Sequence, residues 1–217
     1  YSFIILHNDN RMVINHKYNN LIYINSIDND TQEENFTNYF YNTNPNRCIR
    51  RIKQINISQG IDNELENYYI ADKRGLIIKY FDETNNKWSF FQFDFELYSN
   101  IKEIRGNVPK IRTRYIELLN EPEKLAILEK EFPENKLLFA MIKHSINNLY
   151  KRVHKLYFES HVKHSFVVTD SDPLFRTMRQ LHADYKKKNI IVTFDAVIQK
   201  VNNLNPNIIG TLVGWVN

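Results

Sequence analysis

Residues 67–99 read NYYIADKRGLIIKYFDETNNKWSFFQFDFELYS, and this stretch carries the clearest structural pattern in the chain. Near its end, apolar and polar side chains alternate with the period of two that is typical of a half-buried strand. The predicted strands are Tyr68–Ala71, Leu76–Phe81 and Lys87–Tyr98, separated by a turn at Lys73–Gly75 and a polar loop at Asp82–Asn86. We therefore predict an antiparallel β-meander. The predicted buried face of its last strand carries Phe91, Phe93, Phe95 and Leu97.

The pattern changes to helical spacing over residues 115–164. Apolar residues recur there every three or four positions, which predicts one face of a helix of about 25 residues. This stripe consists of Leu138, Ile142, Ile146, Leu149, Val153 and Leu156. A shorter helix precedes it, for which Asn120 and Glu123 have the spacing of a capping box. We expect the phenylalanine face of the meander to pack against the long helix.

Residues 165–217 are predicted to form a β-α-β segment. Ser165–Thr169 and Ile190–Phe194 are short apolar runs typical of strands, and a helix is predicted to begin at Pro173 between them. Such an order implies a right-handed crossover and parallel pairing of the two strands. Ala196–Val201 is predicted as a short helix and Ile208–Val216 as a third strand-like run.

These patterns together predict an α+β fold. Ser2–Leu6 and Leu21–Ile24 add β-rich runs at the start of the chain. We expect one compact unit with three regions: a β-rich basic region over 1–114, a helical region over 115–164 and an α/β segment over 165–217.

Composition excludes several classes of protein. Mean hydropathy is −0.51, and no apolar run reaches the roughly 20 residues of a membrane-spanning helix, so no membrane partner is expected. The single cysteine, Cys48, excludes a disulfide framework. The 5 glycines form neither a dinucleotide-binding fingerprint nor a phosphate-binding loop, and no other common catalytic motif occurs. The sequence therefore favours a non-enzyme.

The 29 asparagines and 26 isoleucines are encoded by AT-rich codons, which points to an AT-rich genome. Large DNA viruses, protists and clostridial bacteria all fit. The first residue is Tyr1, with no basic segment and no cleavage site after it. We therefore expect a fragment of a larger viral or protist protein that is intracellular, either cytoplasmic or virion-associated.

Basic residues are concentrated in two runs, Arg47–Lys53 and Lys102–Arg114. The net charge is +4 overall, and arginine recognises phosphate through paired N–H donors. An extended run would also place Lys110, Arg112 and Arg114 on one side. Trp88 and Phe90 either add a stacking surface for bases or pack under the long helix. The candidate nucleic-acid-binding residues are Arg47, Arg50, Arg51, Lys53, Lys102, Arg105, Lys110, Arg112 and Arg114.

Asp170 and Asp172 stand two residues apart after a predicted strand. Carboxylates with this spacing suit a divalent cation such as Mn²⁺ or Mg²⁺. The segment resembles the D-x-D motif of nucleotide-sugar glycosyltransferases, which implies a metal-bound diphosphate. The alternative is that one of the two aspartates caps the helix that begins at Pro173. Asp195, which ends the next predicted strand, would lie near them if the strands are adjacent.

His154, His161 and His164 form a second candidate cluster, near the end of the long helix. Three histidines on one stripe would suit a transition metal, although zinc needs a fourth ligand that the sequence does not identify. Exposed histidines at a basic helix end are the alternative.

The hypothesis favoured by the sequence is a non-catalytic module that binds nucleic acid, in particular RNA, or takes part in assembly through arginine–phosphate contacts. Two alternatives stay open. One is a metal-dependent nucleotide or nucleotide-sugar transferase, and the other is a structural domain that binds protein partners.

Overall fold

The computed structural model describes residues 2–7, Arg11, 13–14, 19–31, 34–35, 49–51, 74–188 and 191–214. The chain divides into two compact units, Tyr1–Lys102 and Glu103–Asn217. The described strands all lie in the first unit, whereas the described regular elements of the second unit are all helical. The predicted α+β class is therefore confirmed.

The first unit opens with a small sheet centred on strand β2 (Asn20–Ile27). Strand β1 (Ser2–Leu6) and the short β3 (Glu34–Asn35) pair with it antiparallel, and β4 (Ile49–Arg51) pairs with it in parallel. Tyr23 is buried and meets the edge of the Phe3 ring, with 5.7 Å between ring centroids. The two strands predicted at the start of the chain are thus present.

The second sheet is an antiparallel hairpin of β5 (Gly75–Asp82) and β6 (Lys87–Asp94). Asp82 closes the connecting turn because its Oδ1 accepts hydrogen bonds from the backbone N–H groups of Thr84 and Asn85. Asn86 completes the turn with φ of 50°, a conformation that asparagine tolerates. These two strands confirm the centre of the predicted meander, whose first predicted strand, Tyr68–Ala71, lies outside the described residues.

Two features of the predicted third strand are wrong. The strand ends at Asp94, and Glu96–Arg105 forms helix α1, so Leu97 is helical. Its predicted buried face is largely exposed, since Phe91 and Phe93 are 55% and 41% exposed and Phe95 alone is buried. Alternation shows which side chains share a face, but it does not show whether another element covers that face. The packing of these rings against the long helix stays a prediction.

The second unit is built around helix α4 (Lys136–Tyr157). Helices α2 (Ile111–Glu117) and α3 (Pro122–Glu131) and a 3₁₀ turn (Pro133–Asn135) precede it, and a π-helical turn (Phe158–Val162) extends it. The predicted stripe forms its buried face, with Leu138 and Leu156 half-buried at the margins. The buried side chains on this helix are Phe139, Ile142, Ile146, Leu149, Tyr150, Val153 and Tyr157.

Helices α2 and α6 (Phe194–Asn202) pack against α4. The Tyr115 ring of α2 stacks on Phe139 at a centroid distance of 5.2 Å, and its hydroxyl donates to Glu129. Burial, followed by this hydrogen bond, raises the pKa of Tyr115. The hydroxyl of Tyr150 donates to Asn202, and burial raises the pKa of Tyr150 to about 12. Both tyrosines therefore stay neutral and join helices through hydrogen bonds.

The predicted capping box at Asn120 is wrong. Helix α3 starts at Pro122, and its N-cap residue Glu121 makes no side-chain capping bond. Proline suits this first position because it has no N–H group to satisfy. The Asn120 side chain instead donates to the side chain of Asn203, at 3.0 Å.

The predicted C-terminal β-α-β segment is also wrong in its strands. Residues 165–169 and 191–193 form no strand, and α7 (Pro206–Leu212) occupies most of the predicted run 208–216. The two predicted helices are present as α5 (Phe175–Lys188) and α6. Local capping explains part of the error, since Thr193 caps α6 and Asn205 caps α7 ahead of Pro206. Short apolar runs do not by themselves distinguish a strand from a helix.

Among the helices that the structure describes, none has the length and apolar character needed to cross a membrane.

The stripe on α4 allows a direct test of the helical core. Ile146 is buried and Met141 is exposed on the same helix. We expect Ile146→Ala to lower the free energy of unfolding by about 2–5 kcal/mol, because it leaves a cavity, and Met141→Ala to change it by less than about 0.5 kcal/mol. Urea unfolding of both variants measures the difference, and equal losses would show that the buried face is wrongly assigned.

Candidate functional site

In the second basic run, Lys102–Arg114, some of the basic side chains are exposed and others are internal. Arg114 Nε donates to the carbonyl oxygen of Ile104 at 2.7 Å, and its NH2 group donates to Glu103. These are orphan carbonyls at the end of α1, so the guanidinium caps that helix. Gly106 follows with φ of 63°, and a Cβ there would come within 2.9 Å of Arg114 Nε. Arg114 is thus held by structural contacts.

Arg105 is likewise internal, since only 4% of it is exposed. Its guanidinium donates to the carbonyl oxygens of Val108 and Pro109. Burial, with the nearby charge of Arg114, lowers the pKa of Arg105. Because residues 111–117 are helical, Lys110, Arg112 and Arg114 do not alternate along an extended segment, which corrects that expectation.

The remaining candidate cations are placed unevenly. Lys102 and Lys110 are exposed, whereas Arg112 is half-buried. The backbones of Arg50 and Arg51 lie in β4. Arg47 and Lys53 lie outside the described residues.

The hairpin presents aromatic side chains on both of its faces. Cross-strand partners share a face, and Lys79 opposes Phe90 while Ile78 opposes Phe91. We call the first of these faces the Lys79 face. Its described side chains are Ile77, Lys79, Phe81, Phe90, Gln92 and Asp94, and the Asp94 carboxylate is paired with Arg74. The opposite face carries Leu76, Ile78, Tyr80, Asp82, Lys87, Ser89, Phe91 and Phe93.

Cations lie over aromatic rings at two places among the described residues of the first unit. Lys79 Nζ lies 5.4 Å from the centroid of the Phe90 ring. The Tyr98 ring is approached by Arg74 at 5.4 Å and by Lys102 at 5.9 Å. Arg74 also forms an ion pair with Asp94, with 3.0 Å between Nε and Oδ1. These spacings are typical of cation–π contacts.

The two aspartates of the D-x-D segment have different surroundings. Asp172 Oδ1 accepts a hydrogen bond from the backbone N–H of Leu174 at 2.8 Å, in a turn just ahead of α5. Asp170 is exposed in a turn, and Asp195 lies in the first turn of α6. The described residues contain no group of three side chains able to hold a metal ion.

The predicted histidine cluster is dispersed. His154 meets the edge of the Phe194 ring, and His164 is exposed with a left-handed backbone at φ of 52°. His161 lies in the π-helical turn and faces a different histidine, His182 of α5, at a centroid distance of 4.3 Å. Helix spacing within 154–164 could not reveal this pair, because His182 comes from a separate helix.

His161 and His182 line a cavity of about 220 Å³, which we call the histidine pocket. Ser160 Oγ lies 2.6 Å from His161 Nδ1, and the Tyr157 hydroxyl lies 3.5 Å from His182 Nδ1. Tyr157 also stacks on His161 with 4.9 Å between centroids. A π-helical turn often marks a functional site, and here it carries Ser160 and His161.

Comparison of the chain with protein-family models, curated proteins and solved structures finds no match. Function is therefore inferred from the chemistry of the hairpin and of the histidine pocket.

The histidine pair generates a prediction about stability and pH. Burial and then the nearby His182, His164 and Lys186 lower the pKa of His161, and burial with Lys186 lowers that of His182. The unfolded chain therefore binds protons at higher pH than the folded chain. We expect the free energy of unfolding to fall as the pH drops below about 6.5, the ordinary histidine pKa.

Removing the two imidazoles should reduce this loss of stability. Urea unfolding between about pH 7 and pH 5 should show a smaller decrease for His161→Gln/His182→Gln than for the unaltered protein. His144→Gln, at an exposed position on α4, serves as the control and should retain the original decrease. An unchanged pH dependence in the double variant would contradict the prediction.

Proposed function

We propose that this protein binds single-stranded nucleic acid with little sequence preference, and that the Lys79 face of the hairpin is its base-stacking surface. The observation that supports this most strongly is the exposed Phe90 ring with Lys79 against it. Phe90 is 52% exposed and Phe81 is 44% exposed on the same face. Exposed rings beside a cation offer a base a stacking partner and its phosphate a counter-charge.

The chemistry of such a surface explains the expected lack of specificity. Every base has a π-face, so stacking on phenylalanine is tolerant of sequence. Lys79 Nζ lies over the Phe90 ring as a compact point charge, able to approach a phosphate without the fixed geometry that reads base edges.

The charge of the chain supports the same proposal. The net charge of +4 favours approach of a polyanion. Lys102 adds an exposed cation beside an aromatic ring in the first unit. Arg105 and Arg114 stabilise the fold, because their guanidinium groups donate to backbone carbonyl oxygens. The proposed contacts thus shift from the arginine runs toward lysines beside aromatic rings.

Phe90 and Phe91 provide a matched pair of variants. They are adjacent in sequence, similarly exposed, and on opposite faces of the hairpin. We expect Phe90→Ala to weaken binding of labelled single-stranded DNA and RNA oligonucleotides by about fivefold or more, since a stacked base contributes about 1–3 kcal/mol. Phe91→Ala should change affinity little. Fluorescence anisotropy at low salt measures both.

Two outcomes would overturn this proposal. Equal losses in the two variants would remove the Lys79 face as the specific surface. Absence of oligonucleotide binding even at low salt would reject nucleic-acid binding and leave protein assembly as the better hypothesis for the exposed rings.

Salt dependence tests the role of Lys79 separately. One phosphate contact on a single strand contributes about −0.7 to the slope of log K against log salt. Lys79→Gln should flatten the slope by about that amount on every oligonucleotide tested. Lys143→Gln removes an exposed charge from α4 and should leave the slope unchanged. Equal effects of the two variants would indicate only a general influence of net charge.

A further inference from the structure

We propose that the histidine pocket is a binding site for a small organic anion, in which a phosphate or carboxylate group is attached to an apolar body. This site lies wholly within the second unit and is independent of nucleic-acid binding at the hairpin.

One part of the pocket is apolar. Its volume of about 220 Å³ lies below the roughly 300–1,000 Å³ typical of drug-sized ligands, so the occupant must be small. Met178 is buried at its base, while Phe166 and Val167 are exposed at its rim. The apolar lining residues are Phe166, Val167, Val168, Phe175 and Met178.

The polar part of the pocket is formed by two oriented imidazoles. A hydroxyl group lies beside Nδ1 of each ring, Ser160 at His161 and Tyr157 at His182. A hydrogen bond at Nδ1 fixes the ring and leaves Nε2 to interact with a ligand. Ser160 is itself tied to the chain, because its hydroxyl donates to the carbonyl oxygen of Tyr157, which leaves its oxygen to accept from His161 Nδ1.

Arg179 supplies the permanent charge of the pocket. It lines the cavity from α5, is exposed, and makes no hydrogen bond or ion pair with the described part of the chain. A guanidinium group binds phosphate or carboxylate through two parallel hydrogen bonds. Together with the imidazoles, it gives one side of the cavity the chemistry of an anion site.

The spacing of the imidazoles favours binding over acid–base catalysis. General acid and base groups for in-line displacement at phosphorus act on opposite sides of the reacting centre. With 4.3 Å between their centroids, the two rings touch and leave no space for a substrate between them. They can meet the same ligand only from one side.

Binding of an anion should be coupled to proton uptake. The groups around the imidazoles on both helical elements are mainly basic or neutral, so protonation of the empty pocket is opposed. They are Tyr157 at the end of α4, His164 just after the π-helical turn, and Arg179, Tyr185 and Lys186 from α5. A bound anion offsets this repulsion, and its affinity should increase as the pH falls from about 7.5 to 6.

The test uses four probes on the full chain: phenyl phosphate, benzoate, phenol and inorganic phosphate. NMR of the imidazole groups reports the site, and calorimetry reports the affinity. We expect phenyl phosphate or benzoate to shift the His161 and His182 resonances, with tighter binding at the lower pH. Comparison of the two shows which anionic group is preferred. Phenol and inorganic phosphate should each bind at least about tenfold more weakly, because each lacks one half of the ligand.

Matched arginine variants complete the test. Arg179→Gln should weaken binding by about tenfold or more, as expected for loss of a charged hydrogen-bonding partner. Arg176→Gln, exposed on the same helix and absent from the pocket lining, should leave affinity unchanged. Circular dichroism checks that both variants fold. The proposal fails if neither organic anion shifts the imidazole signals, if phenol or inorganic phosphate binds equally well, or if the two variants lose equal affinity.

Discussion

Burial of one apolar stripe on the helix 136–157 is the constraint on which the second unit depends. Ile142, Ile146, Leu149 and Val153 lie on a single face of this helix, and helices 111–117 and 194–202 pack against the helix. In proteins, most of the stability of an amphipathic helix comes from the packing of its apolar face rather than from intrinsic helix propensity. The same packing fixes its C-terminal end, where the π-helical turn presents Ser160 and His161 to the histidine pocket. The core and the candidate ligand site are therefore parts of one structure.

The hairpin of the first unit differs from the long helix in that much of its apolar surface is exposed. It carries phenylalanine on both faces, and much of that ring surface remains in contact with water. Large exposed rings on a short two-stranded ribbon add little to stability and are typical of interaction surfaces. Lys79 lies over the exposed Phe90 ring on one face, whereas the charged pair of the Phe91 face, Asp82 and Lys87, stands at the turn end of the hairpin.

Sequence patterns identified the helical stripe, the hairpin and the small N-terminal strands because each depends on local periodicity or turn chemistry. The predicted strand at Ile208–Val216 was wrong because a short apolar run does not separate strand from helix, and Asn205 caps the helix 206–212 there. Thr193 likewise caps the helix 194–202, and Ser165–Thr169 forms neither a strand nor a helix. The basic run Lys102–Arg114 predicted phosphate-binding side chains, but two of its arginines are internal. Nothing local in the sequence shows that Arg105 and Arg114 donate to backbone carbonyls rather than to a ligand.

By itself, the sequence determined the class of the fold, the buried face of the long helix and the turn at Asp82, since these follow from periodicity and from short-range hydrogen bonding. Only the tertiary structure decided which aromatic rings are exposed, which arginines are internal, and that His161 meets His182. Those outcomes depend on residues distant in sequence that come together when helices pack. The physical reason is that side-chain exposure and the grouping of titratable groups are properties of the packed surface rather than of any one segment.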